Sequence, residues 1–550
     1  MKSRSLYAFM ALLVLASLAL SGCQSTESVQ AQPSSTDFIP LAVTAPDCTH
    51  GNRIKAITAV DPYTVKFTLC EPDRTFPAKV GSPAFSIQDD TVLAETQGDP
   101  VKISEIANGT GPFSIVDTSI IKQIRLERRD NYWGIPVRLR SITLQWDGDS
   151  KYRRTNLSIR SVDGISSINP TDVNSIRLDS YLQVVEAPVV STVFVGMNNT
   201  IAPFDSLPIR QALATAFDRQ NLALNLFSPS AAPANQLVPP YFDIGHTSSL
   251  RWYDFDTRKT NEQLTQAGFD FTQELILSYD ETPSDLIPEP SQVASELAAE
   301  LKSAGVKVKL KPLPSAEFQQ AWMAGELGLY LAAFKPDYPD ANSFFETFFL
   351  QDNPMIGKTD AAIAREIKTL MASTDPSIIQ ASADVINNWV KQSVVLIPLV
   401  HTNEVLGFRA VVGSIIAGPF GENFASMTIN DQNLAFMQAN PASNLWPVDL
   451  SPNDDRRTAR LVFDTLTTFD LTGVGVLPGL ADSWSSNASM TEWTFMLRYD
   501  VAFKNGALLD ANDVVATFAA QADAGNPNHR PEVNYDYYRR FFGNFLNAQP

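Results

Sequence analysis

Alternating hydrophobic and polar positions predict strands near both ends of the chain. Residues 493–497, Trp-Thr-Phe-Met-Leu, alternate as a half-buried strand does, and Val501 and Phe503 extend the pattern. Near the amino terminus, residues 54–60 and 63–69 have the same character on either side of an Asp-Pro turn. We therefore predict strands in all of these segments.

Helical spacing appears on both sides of the carboxy-terminal strand. A short helix with one apolar stripe is predicted by Leu461, Val462, Phe463 and Leu466. A second helix is predicted after Asp510, because an aspartate at that position accepts hydrogen bonds from the free N–H groups of the first turn. Its apolar face includes Val514, Val515 and Phe518.

The middle of the chain carries a strand–helix–strand pattern. Residues 275–277 and 306–310 are predicted strands, and residues 291–304 between them have apolar positions at helical spacing. Gly305 follows directly, as glycine commonly does where a helix ends. Strands joined by a helical crossover pair in parallel. The pattern therefore predicts an α/β architecture for this region.

A basic start and a short apolar run open the chain. Two basic residues precede the apolar residues 6–20, and Leu-Ser-Gly-Cys follows at 20–23. This order is typical of an export signal that ends in a lipobox, with Cys23 as the lipid-bearing first residue of the mature protein. A transmembrane anchor is the alternative, but the run is shorter than the roughly 18 residues that a span requires. The polar residues 24–36 predict a tether.

Charge and cysteine content narrow the class of protein. The 550 residues carry a formal net charge of −18, so no basic face is expected for a nucleic acid. At this length the chain can build two or more lobes, and a hydrophobic content of 44% is ordinary for a soluble globular protein. Besides Cys23, the cysteines are Cys48 and Cys70, which the export signal would place where disulfides persist. Their pairing stays open, because sequence alone does not fix their separation in space.

Catalytic and metal-binding motifs are absent from the sequence. The four histidines stand at no metal-ligand spacing with one another or with a cysteine, and no Gly-x-Ser-x-Gly elbow occurs. Gly357-Lys358-Thr359 resembles the end of a phosphate loop, but Asp352 stands where the first glycine of that loop is required. We therefore predict a protein that is not an enzyme and that holds no metal and no cofactor.

Several segments together resemble one known family. They are LVFDTLTTFD (461–470), LPGLADSW (477–484), the block 492–518, RIKAITAVDPYTVKFTLCEP (53–72), NGTGPF (108–113), IRLERRDNYWG (124–134) and FDSLPIRQALATAFDRQNLALNLF (204–227). The set resembles the extracellular solute-binding proteins of the peptide/nickel type, family 5, which deliver ligands to ABC importers. In that family the segments found here at 461–518 lie near the amino terminus. The resemblance therefore implies a circularly permuted member.

The resemblance also implies a fold, which is an α/β fold of the periplasmic-binding-protein type II class, with two lobes, a hinge and an interlobe cleft. The implied divisions are a lipoprotein signal peptide at 1–23, a tether at 24–49, lobe I at 50–192, 402–437 and 450–550, lobe II at 193–401, and a linker at 438–449 that joins the family's natural end to its natural start. Two crossing segments, near residues 194–198 and 399–403, would form the hinge.

One acidic segment carries the implied ligand contact. In the family's peptide-binding members, the acidic residue of an Asp-Tyr-x-x-Pro-like segment holds the α-ammonium of the peptide. The matching segment is Pro-Asp-Tyr-Pro-Asp at 336–340, so the resemblance implies Asp337 as the ligand anchor. A helix cap or turn former is the alternative role for Asp337, and Asp340 fits a cap better. The segment departs from the pattern where Asp340-Ala341 replaces an acid–proline pair.

Further ligand-binding candidates follow from the same resemblance. Aromatic lining of the cleft is expected from Trp322, Phe334 or Tyr338, each of which is an equally good core residue. Asn198, on the first predicted crossing segment, is another candidate. Candidate partners for a ligand carboxylate are Arg251 and Arg409.

The function that the resemblance implies is that of a lipid-anchored, monomeric binding component of an ABC importer. Such a protein binds peptides in its cleft, lies on the periplasmic or extracellular side of a membrane in the cell envelope, and delivers its ligand to a permease in the inner membrane. One alternative is a non-peptide solute, such as a metal chelate, haem or an oligosaccharide. Another is a sensor or envelope interaction protein that serves no transporter.

Overall fold

Three β-sheets organise the described part of the chain. The computed structural model describes residues 38–118, 121–442, 445–447 and 454–547, and the elements below belong to one compact unit, residues 40–550. The predicted signal peptide with Cys23, the tether up to residue 37, and residues 443–444 and 448–449 of the predicted linker lie outside the described residues. Among the described helices, none is both long and apolar enough to cross a lipid bilayer.

The strands of the described ranges are numbered in chain order. They are β1 (Ala42–Thr44), β2 (Ile54–Asp61), β3 (Thr64–Leu69), β4 (Phe113–Asp117), β5 (Gln123–Arg128), β6 (Ser141–Trp146), β7 (Gly164–Ile165), β8 (Leu182–Glu186), β9 (Ser191–Met197), β10 (Ala232–Pro233), β11 (Glu274–Asp280), β12 (Lys307–Leu313), β13 (Leu329–Phe334), β14 (Leu396–Thr402), β15 (Val405–Arg409), β16 (Ala417–Gly418), β17 (Gly421–Glu422), β18 (Asn433–Gln438), β19 (Thr467–Phe469), β20 (Val476–Pro478), β21 (Ala481–Ser486) and β22 (Glu492–Leu497).

The α-helices of the same ranges are numbered likewise. They are α1 (Phe76–Lys79), α2 (Asp90–Thr96), α3 (Pro100–Ile106), α4 (Ser150–Ser158), α5 (Pro170–Leu178), α6 (Leu207–Leu213), α7 (Arg219–Leu226), α8 (Thr257–Gln266), α9 (Pro290–Ser303), α10 (Ser315–Met323), α11 (Asn342–Phe349), α12 (Ala361–Met371), α13 (Pro376–Ser393), α14 (Asp454–Val462), α15 (Ala511–Ala522) and α16 (Asp536–Phe542).

A six-stranded sheet with the order β10-β14-β9-β13-β11-β12 forms the centre of lobe II. β11 runs parallel to β12 and β13, whereas β9 is antiparallel to β13 and β14. α9 connects β11 to β12, and Leu275 pairs with Val308 in parallel register, so the predicted strand–helix–strand unit is confirmed. Gly305 follows α9 with a φ of +85°, in the left-handed region that glycine adopts without strain.

Two further sheets build lobe I. The seven-stranded sheet has the order β4-β5-β6-β18-β7-β15-β8, and the five-stranded sheet has the order β1-β2-β3-β22-β21. In the second sheet β22 pairs antiparallel with β3, with Trp493 opposite Phe67. The carboxy-terminal block thus completes a sheet whose other half comes from residues 42–69.

The five-stranded sheet packs on α15 through aromatic side chains. The ring of Phe67 lies 5.7 Å from that of Phe495 and 5.0 Å from that of Phe518, both edge to face. Such pairs add roughly 0.5–1.5 kcal/mol to the stabilisation from burial alone. Near the same sheet, Cys48 and Cys70 form a disulfide with a Cα–Cα distance of 5.7 Å. The sequence had left their pairing undecided.

Two predicted element boundaries differ from the structure for identifiable reasons. β22 ends at Leu497, and Val501 and Phe503 are buried in the following loop, where Arg129 donates a hydrogen bond of 2.7 Å to the Ala502 carbonyl. The Ala502 carbonyl is thus bonded to the segment that follows β5, and the strand does not continue beyond Leu497.

The predicted helix over Leu461–Leu466 lies earlier in the chain, because α14 ends at Val462. The Val462 carbonyl accepts a hydrogen bond of 2.9 Å from the Gly111 N–H. A Cβ atom at Gly109 or at Gly111 would clash with the same Val462 backbone, so the NGTGPF turn requires its glycines for this close approach.

Two adjacent segments connect the seven-stranded sheet to the six-stranded sheet. One lies between β8 and β9, at residues 187–190, and the other lies between β14 and β15, at residues 403–404. Ala187 N–H donates to the Glu404 carbonyl at 3.0 Å, and the Asn403 side chain donates to the Ala187 carbonyl at 2.8 Å. Most of the predicted crossing segment at 194–198 belongs to β9, which pairs on both sides within the six-stranded sheet, and the position of the hinge stays a prediction.

Candidate functional site

The candidate site is the charged face where lobe II meets lobe I. Asp337 lies in the loop between β13 and α11, and its backbone N–H donates to the Ser343 hydroxyl at 3.0 Å. Only 2% of the Asp337 side chain is exposed. A buried carboxylate needs charged or hydrogen-bonding partners, since leaving it unpaired costs several kcal/mol.

Two arginines of lobe I provide those partners. Arg456 on α14 lies 3.1 Å from Asp337 Oδ1, and Arg540 on α16 lies 3.2 Å from Asp337 Oδ2. Both guanidinium groups lie over the ring of Tyr537, at 5.0 and 4.8 Å from its centre, and Arg456 also donates to the Tyr537 hydroxyl. Burial lowers the pKa of Arg456 below its ordinary value, although Asp337 works against this shift. Asp337 is thus engaged by cations of its own chain.

Asp340 makes a second ion pair between the lobes. Its carboxylate accepts two hydrogen bonds from Arg74, at 2.6 and 3.0 Å, in bidentate geometry. The same carboxylate accepts the N–H of Asn342, the first residue of α11, at 2.8 Å. The cap residue of α11 is Ala341, so Asp340 lies one residue before the cap position predicted for it, and its hydrogen bond to Asn342 is joined by an interlobe contact that the sequence did not indicate.

Tyr338 is fully buried in a neighbouring network. Its hydroxyl donates to Glu346, which also accepts a hydrogen bond of 2.7 Å from Lys79; Lys79 in turn contacts Asp73 at 2.7 Å. Burial and the nearby carboxylate of Glu346 raise the pKa of Tyr338 well above its ordinary value, so its hydroxyl remains a donor. This network joins α11 of lobe II to α1 of lobe I.

Arg457 is the centre of a third charged group near the connecting segments. Its guanidinium pairs with Glu422 and Asp454 of lobe I, and with Asp285 of lobe II at 3.4 Å. Burial raises the pKa of Asp454 to about 7 despite the opposing field of Arg457. Asp285 also accepts a hydrogen bond from Ser167 of lobe I. Arg457 therefore links both lobes.

Glu404 extends this charged face to the connecting segment. It pairs with Lys335, which follows β13 directly. Burial raises the pKa of Glu404, but Lys335 and Arg457 outweigh that effect and the net pKa falls. Glu404 therefore stays ionised and joins the segment between β14 and β15 to Lys335, which opens the loop that contains Asp337.

The remaining predicted ligand residues have partners within the fold. Trp322 and Phe334 belong to the lobe II core, where Phe334 contacts Phe344 and Phe348. The Asn198 side chain donates to the carbonyls of Gly325 and Pro354.

The two arginines that were predicted to bind a ligand carboxylate contact residues other than Asp337. Arg409 pairs with Asp163 at 2.6 Å, and Arg251 donates to the carbonyls of Ser248 and Leu250. These contacts agree with a packing or surface role, and a ligand role for either arginine stays a prediction.

The arginines of α14 and α16 are the residues that the sequence analysis missed. The signal was the Arg-Arg-Thr-Ala-Arg run at 456–460, in which Arg456 and Arg460 are four residues apart and so share one helix face. Most arginines are surface residues, which is why the run did not stand out.

One acidic cluster in the described ranges has carboxylate oxygens within 4.8 Å of one another, at Asp89, Asp90 and Asp513. Asp89 accepts the N–H groups of Thr91 and Val92 at the start of α2. Asp513 accepts the N–H groups of Asp90 and Asp510. Asp89 and Asp513 are thus engaged at helix starts and Asp90 lies in the first turn of α2, so the cluster gives no reason to infer a metal site.

Comparison with known proteins agrees with this architecture. The sequence profile of the bacterial extracellular solute-binding proteins, family 5 Middle, matches residues 23–355 and 475–537. Heme-binding protein A of Haemophilus influenzae is 25% identical over 313 residues, which is 56% of this chain and 56% of that protein. The dipeptide-binding protein of Escherichia coli is 24% identical over 300 residues, 54% of this chain and 56% of that protein. The chain thus aligns with little more than half the length of these relatives.

Di/tripeptide-binding protein 1 of Pseudomonas aeruginosa aligns over a longer stretch. It is 24% identical over 378 residues, which is 68% of this chain and 70% of that protein. Among solved structures, DppA of Helicobacter pylori in complex with the peptide STSA superposes with a TM-score of 0.63 at 19% identity, over 69% of this chain and 74% of that one.

The dipeptide-binding protein of Pseudoalteromonas sp. SM9913 in complex with Met-Leu superposes with a TM-score of 0.62 at 19% identity, over 69% of this chain and 76% of that one. Both similarities show the two-lobe fold of periplasmic binding proteins. The family profile covers well over half of the chain. The protein therefore belongs to the bacterial extracellular solute-binding proteins of family 5, a family of substrate-binding proteins rather than of enzymes.

Proposed function

We propose that this protein is the solute-binding component of an ABC importer and that it binds peptides between its two lobes. The observation that carries the proposal is the interlobe charged face around Asp337, in a chain with the two-lobe fold of family 5. The relatives named for dipeptides and tripeptides support the ligand class. A peptide brings charged termini and a polar backbone, which are the groups that such a face recognises.

Binding would work by closure about the two connecting segments. The segments 187–190 and 403–404 are short and adjacent, as the connections between two rigid lobes of a hinged protein need to be. The two lobes share no sheet and each has its own core, so the lobes can rotate while their interiors stay unchanged. The closed form would then dock on a permease in the inner membrane, with the protein acting as a monomer.

The proposal includes anchoring of the protein to a membrane by a lipid on Cys23. The basic start, the short apolar run and the Leu-Ser-Gly-Cys sequence at 20–23 support it. An anchored binding protein stays close to its permease, on the periplasmic or extracellular side of that membrane.

We also propose that the chain is a circular permutant. The backbone N–H of Arg53 donates to the Phe542 carbonyl at 2.8 Å, so residues 51–53 adjoin the carboxy-terminal helix α16. The backbone N–H of Asn440 donates to the Asp454 side chain at 2.8 Å, so the linker ends are also close. Permutation is tolerated where old termini lie near each other.

A non-peptide solute is the second candidate ligand class. One relative, aligned over 313 residues, is named for haem. Haem carries two propionates, which would also suit the arginines beside Asp337. A direct comparison of ligands separates these classes.

Thermal unfolding of the purified protein with pools of dipeptides, tripeptides and longer peptides, and separately with haem, tests the ligand class. A ligand at about a hundred times its dissociation constant adds about 2.7 kcal/mol of stability. A rise in the midpoint with one peptide pool is the expected result. A rise with haem alone would replace the peptide proposal, and the absence of any shift in a ligand-free, cooperatively unfolding protein would favour the sensor alternative.

A further inference from the structure

One segment of lobe I reaches across to lobe II. It follows β3, includes α1 and spans residues 71–79, and we call it the clasp. At one end of the clasp, Glu71 lies 2.5 Å from Lys368 of α12. At the other end, Lys79 lies 2.7 Å from Glu346 of α11. The clasp therefore contacts two helices of lobe II.

Arg74, near the middle of the clasp, binds the carboxyl end of a helix in the other lobe. The last carbonyl groups of an α-helix lack partners within the helix, and a cation there suits the helix dipole. At the end of α12, the Met371 carbonyl accepts the backbone N–H of Arg74 at 2.9 Å, and the Leu370 carbonyl accepts its Nε–H at 3.1 Å. Both terminal nitrogens of the guanidinium donate to Asp340, at 2.6 and 3.0 Å. Every nitrogen of Arg74 thus donates to lobe II.

The ammonium group of Lys79 is fully buried among groups of both lobes. Besides Glu346, it contacts Asp73 of the clasp at 2.7 Å. It also lies 5.8 Å from the ring centre of Tyr338 and 6.0 Å from that of Phe541. Carboxylates and aromatic faces are the groups that bind an ammonium ion. A lysine of lobe I therefore fills a cation site whose walls come partly from lobe II.

The contacts of the clasp hold the lobes together by themselves, because every partner is a group of this chain. Separation of the lobes would break the bonds of Arg74 and the pair between Lys79 and Glu346 at the same time. A hydrogen bond to a charged group shifts a two-state equilibrium by about tenfold to a hundredfold, so several of them together make separation rare.

We propose that the clasp is a latch that holds the lobes together before a peptide binds, and that it must release for a peptide to enter or leave. The inference rests on the proposed closure of two lobes on a peptide and adds a regulatory step to it. Only molecules with an open clasp admit a ligand, so the latch lowers the rate of association in proportion to the fraction that is open.

The distance between two spin labels, one on each lobe, tests the latch. The labels are placed at Ser485→Cys in the five-stranded sheet and at Ala362→Cys on α12, both of which are exposed positions. The full chain carries Cys23→Ser, and the paired Cys48 and Cys70 take no label. Without added peptide, double electron–electron resonance should give one short distance in this parent chain.

Asp340→Asn removes the charge that pairs with Arg74 but keeps the oxygen that accepts the N–H of Asn342. A second, longer distance should appear in this variant, with a ratio of long to short distances about tenfold to a hundredfold higher than in the parent. Arg74→Gln should have a similar effect, and the double variant should open little more than Arg74→Gln alone, because the two residues form one pair. Arg258→Gln, which breaks an exposed pair with Glu262 inside one helix of lobe II, is the matched control and should keep the short distance.

Stopped-flow mixing with tri-alanine measures ligand entry in the same chains. Association should be about tenfold faster in Asp340→Asn than in the parent, and an unchanged rate in a variant that opens would contradict control of entry by the clasp. A long distance that predominates in the parent would overturn the latch, as would the short distance alone in both Asp340→Asn and Arg74→Gln. Failure of tri-alanine to bind any of these chains would contradict the proposed peptide function, whereas the label distances would still decide the latch.

Discussion

At the scale of single residues, burial decides what a charged or titratable side chain does in this protein. His401 on β14 is 3% exposed, and its Nδ1 lies 2.9 Å from the Thr192 hydroxyl. Burial, followed by the fields of His246 and Arg219, lowers its pKa from 6.5 to about 3. The folded protein therefore keeps this imidazole neutral in mildly acidic solution.

A pH-dependent loss of stability follows from that shift. Between pH 6.5 and about 3 the unfolded chain binds a proton at His401 that the folded chain does not, so folding stability falls as the pH falls. The contribution has a slope of at most about 1.4 kcal/mol per pH unit. Urea unfolding from about pH 7 to about pH 4 should show a smaller acid-induced loss in His401→Gln than in the wild type. Equal losses in the two proteins would contradict the neutral, buried assignment.

The charged residues also show which features of the site could be predicted from the sequence. The Pro-Asp-Tyr-Pro-Asp segment identified a loop that the structure places on the lobe interface, because the segment is short and chemically distinctive. Arg456 and Arg540 were missed, because they come from helices that lie far from Asp337 in sequence and meet it only after the lobes pack. The two arginines are visible in the sequence, but their contact with Asp337 could not be predicted from it.

At the scale of elements, local hydrogen bonding made some helices predictable. Asp510 Oδ1 accepts the N–H of Asn512 at 2.7 Å, and Asp513 Oδ2 accepts the N–H of Asp510 at 2.8 Å, which together form a capping box at the start of α15. Because this signal depends on four consecutive residues, it was visible without the fold.

Asp510→Ala should remove the first of these bonds and lower the free energy of unfolding by about 0.5–2 kcal/mol. Asp510→Asn keeps an acceptor at the same position and should lose little. Urea unfolding at neutral pH measures both. An alanine variant as stable as the asparagine variant would mean that the cap contributes nothing to the stability of α15.

Elements whose ends depend on distant contacts were predicted less well. α14 ends at Val462 because Gly111, some 350 residues away in the chain, donates to its carbonyl, and the apolar stripe beyond Val462 gave no indication of this. In contrast, the β11–α9–β12 unit was predicted correctly, since its parallel pairing follows from a local crossover.

At the scale of the whole molecule, the order of the segments is the feature to test. β22 from the carboxy-terminal block lies beside β3, and residues 51–53 adjoin residues 542–544. We propose that a rearranged chain, beginning near residue 450, running to 547 and continuing from 51 to 438, adopts the same fold. Because the rearranged chain lacks β1 and Cys48, its circular dichroism spectrum, cooperative unfolding and peptide affinity should match those of the natural order with residues up to 50 removed. An insoluble or non-cooperative product would contradict the permutation.

Membrane attachment is a separate property of the whole chain. Cys23→Ser removes the thiol that would carry the lipid and should release the protein from the membrane fraction. Immunoblots of membrane and soluble fractions distinguish the two locations. Continued retention of the serine variant on membranes would contradict a lipid anchor at Cys23.

The central claim is that a peptide binds between the lobes at the Asp337 face. Its most direct test is calorimetric titration of the best-stabilising peptide into the wild type, Asp337→Ala and the exposed-loop control Asp270→Ala. We expect Asp337→Ala to weaken binding by about 2–5 kcal/mol, because it removes the buried carboxylate of this face, and Asp270→Ala to bind normally. Unchanged affinity in a folded Asp337→Ala variant would remove this face from the ligand site.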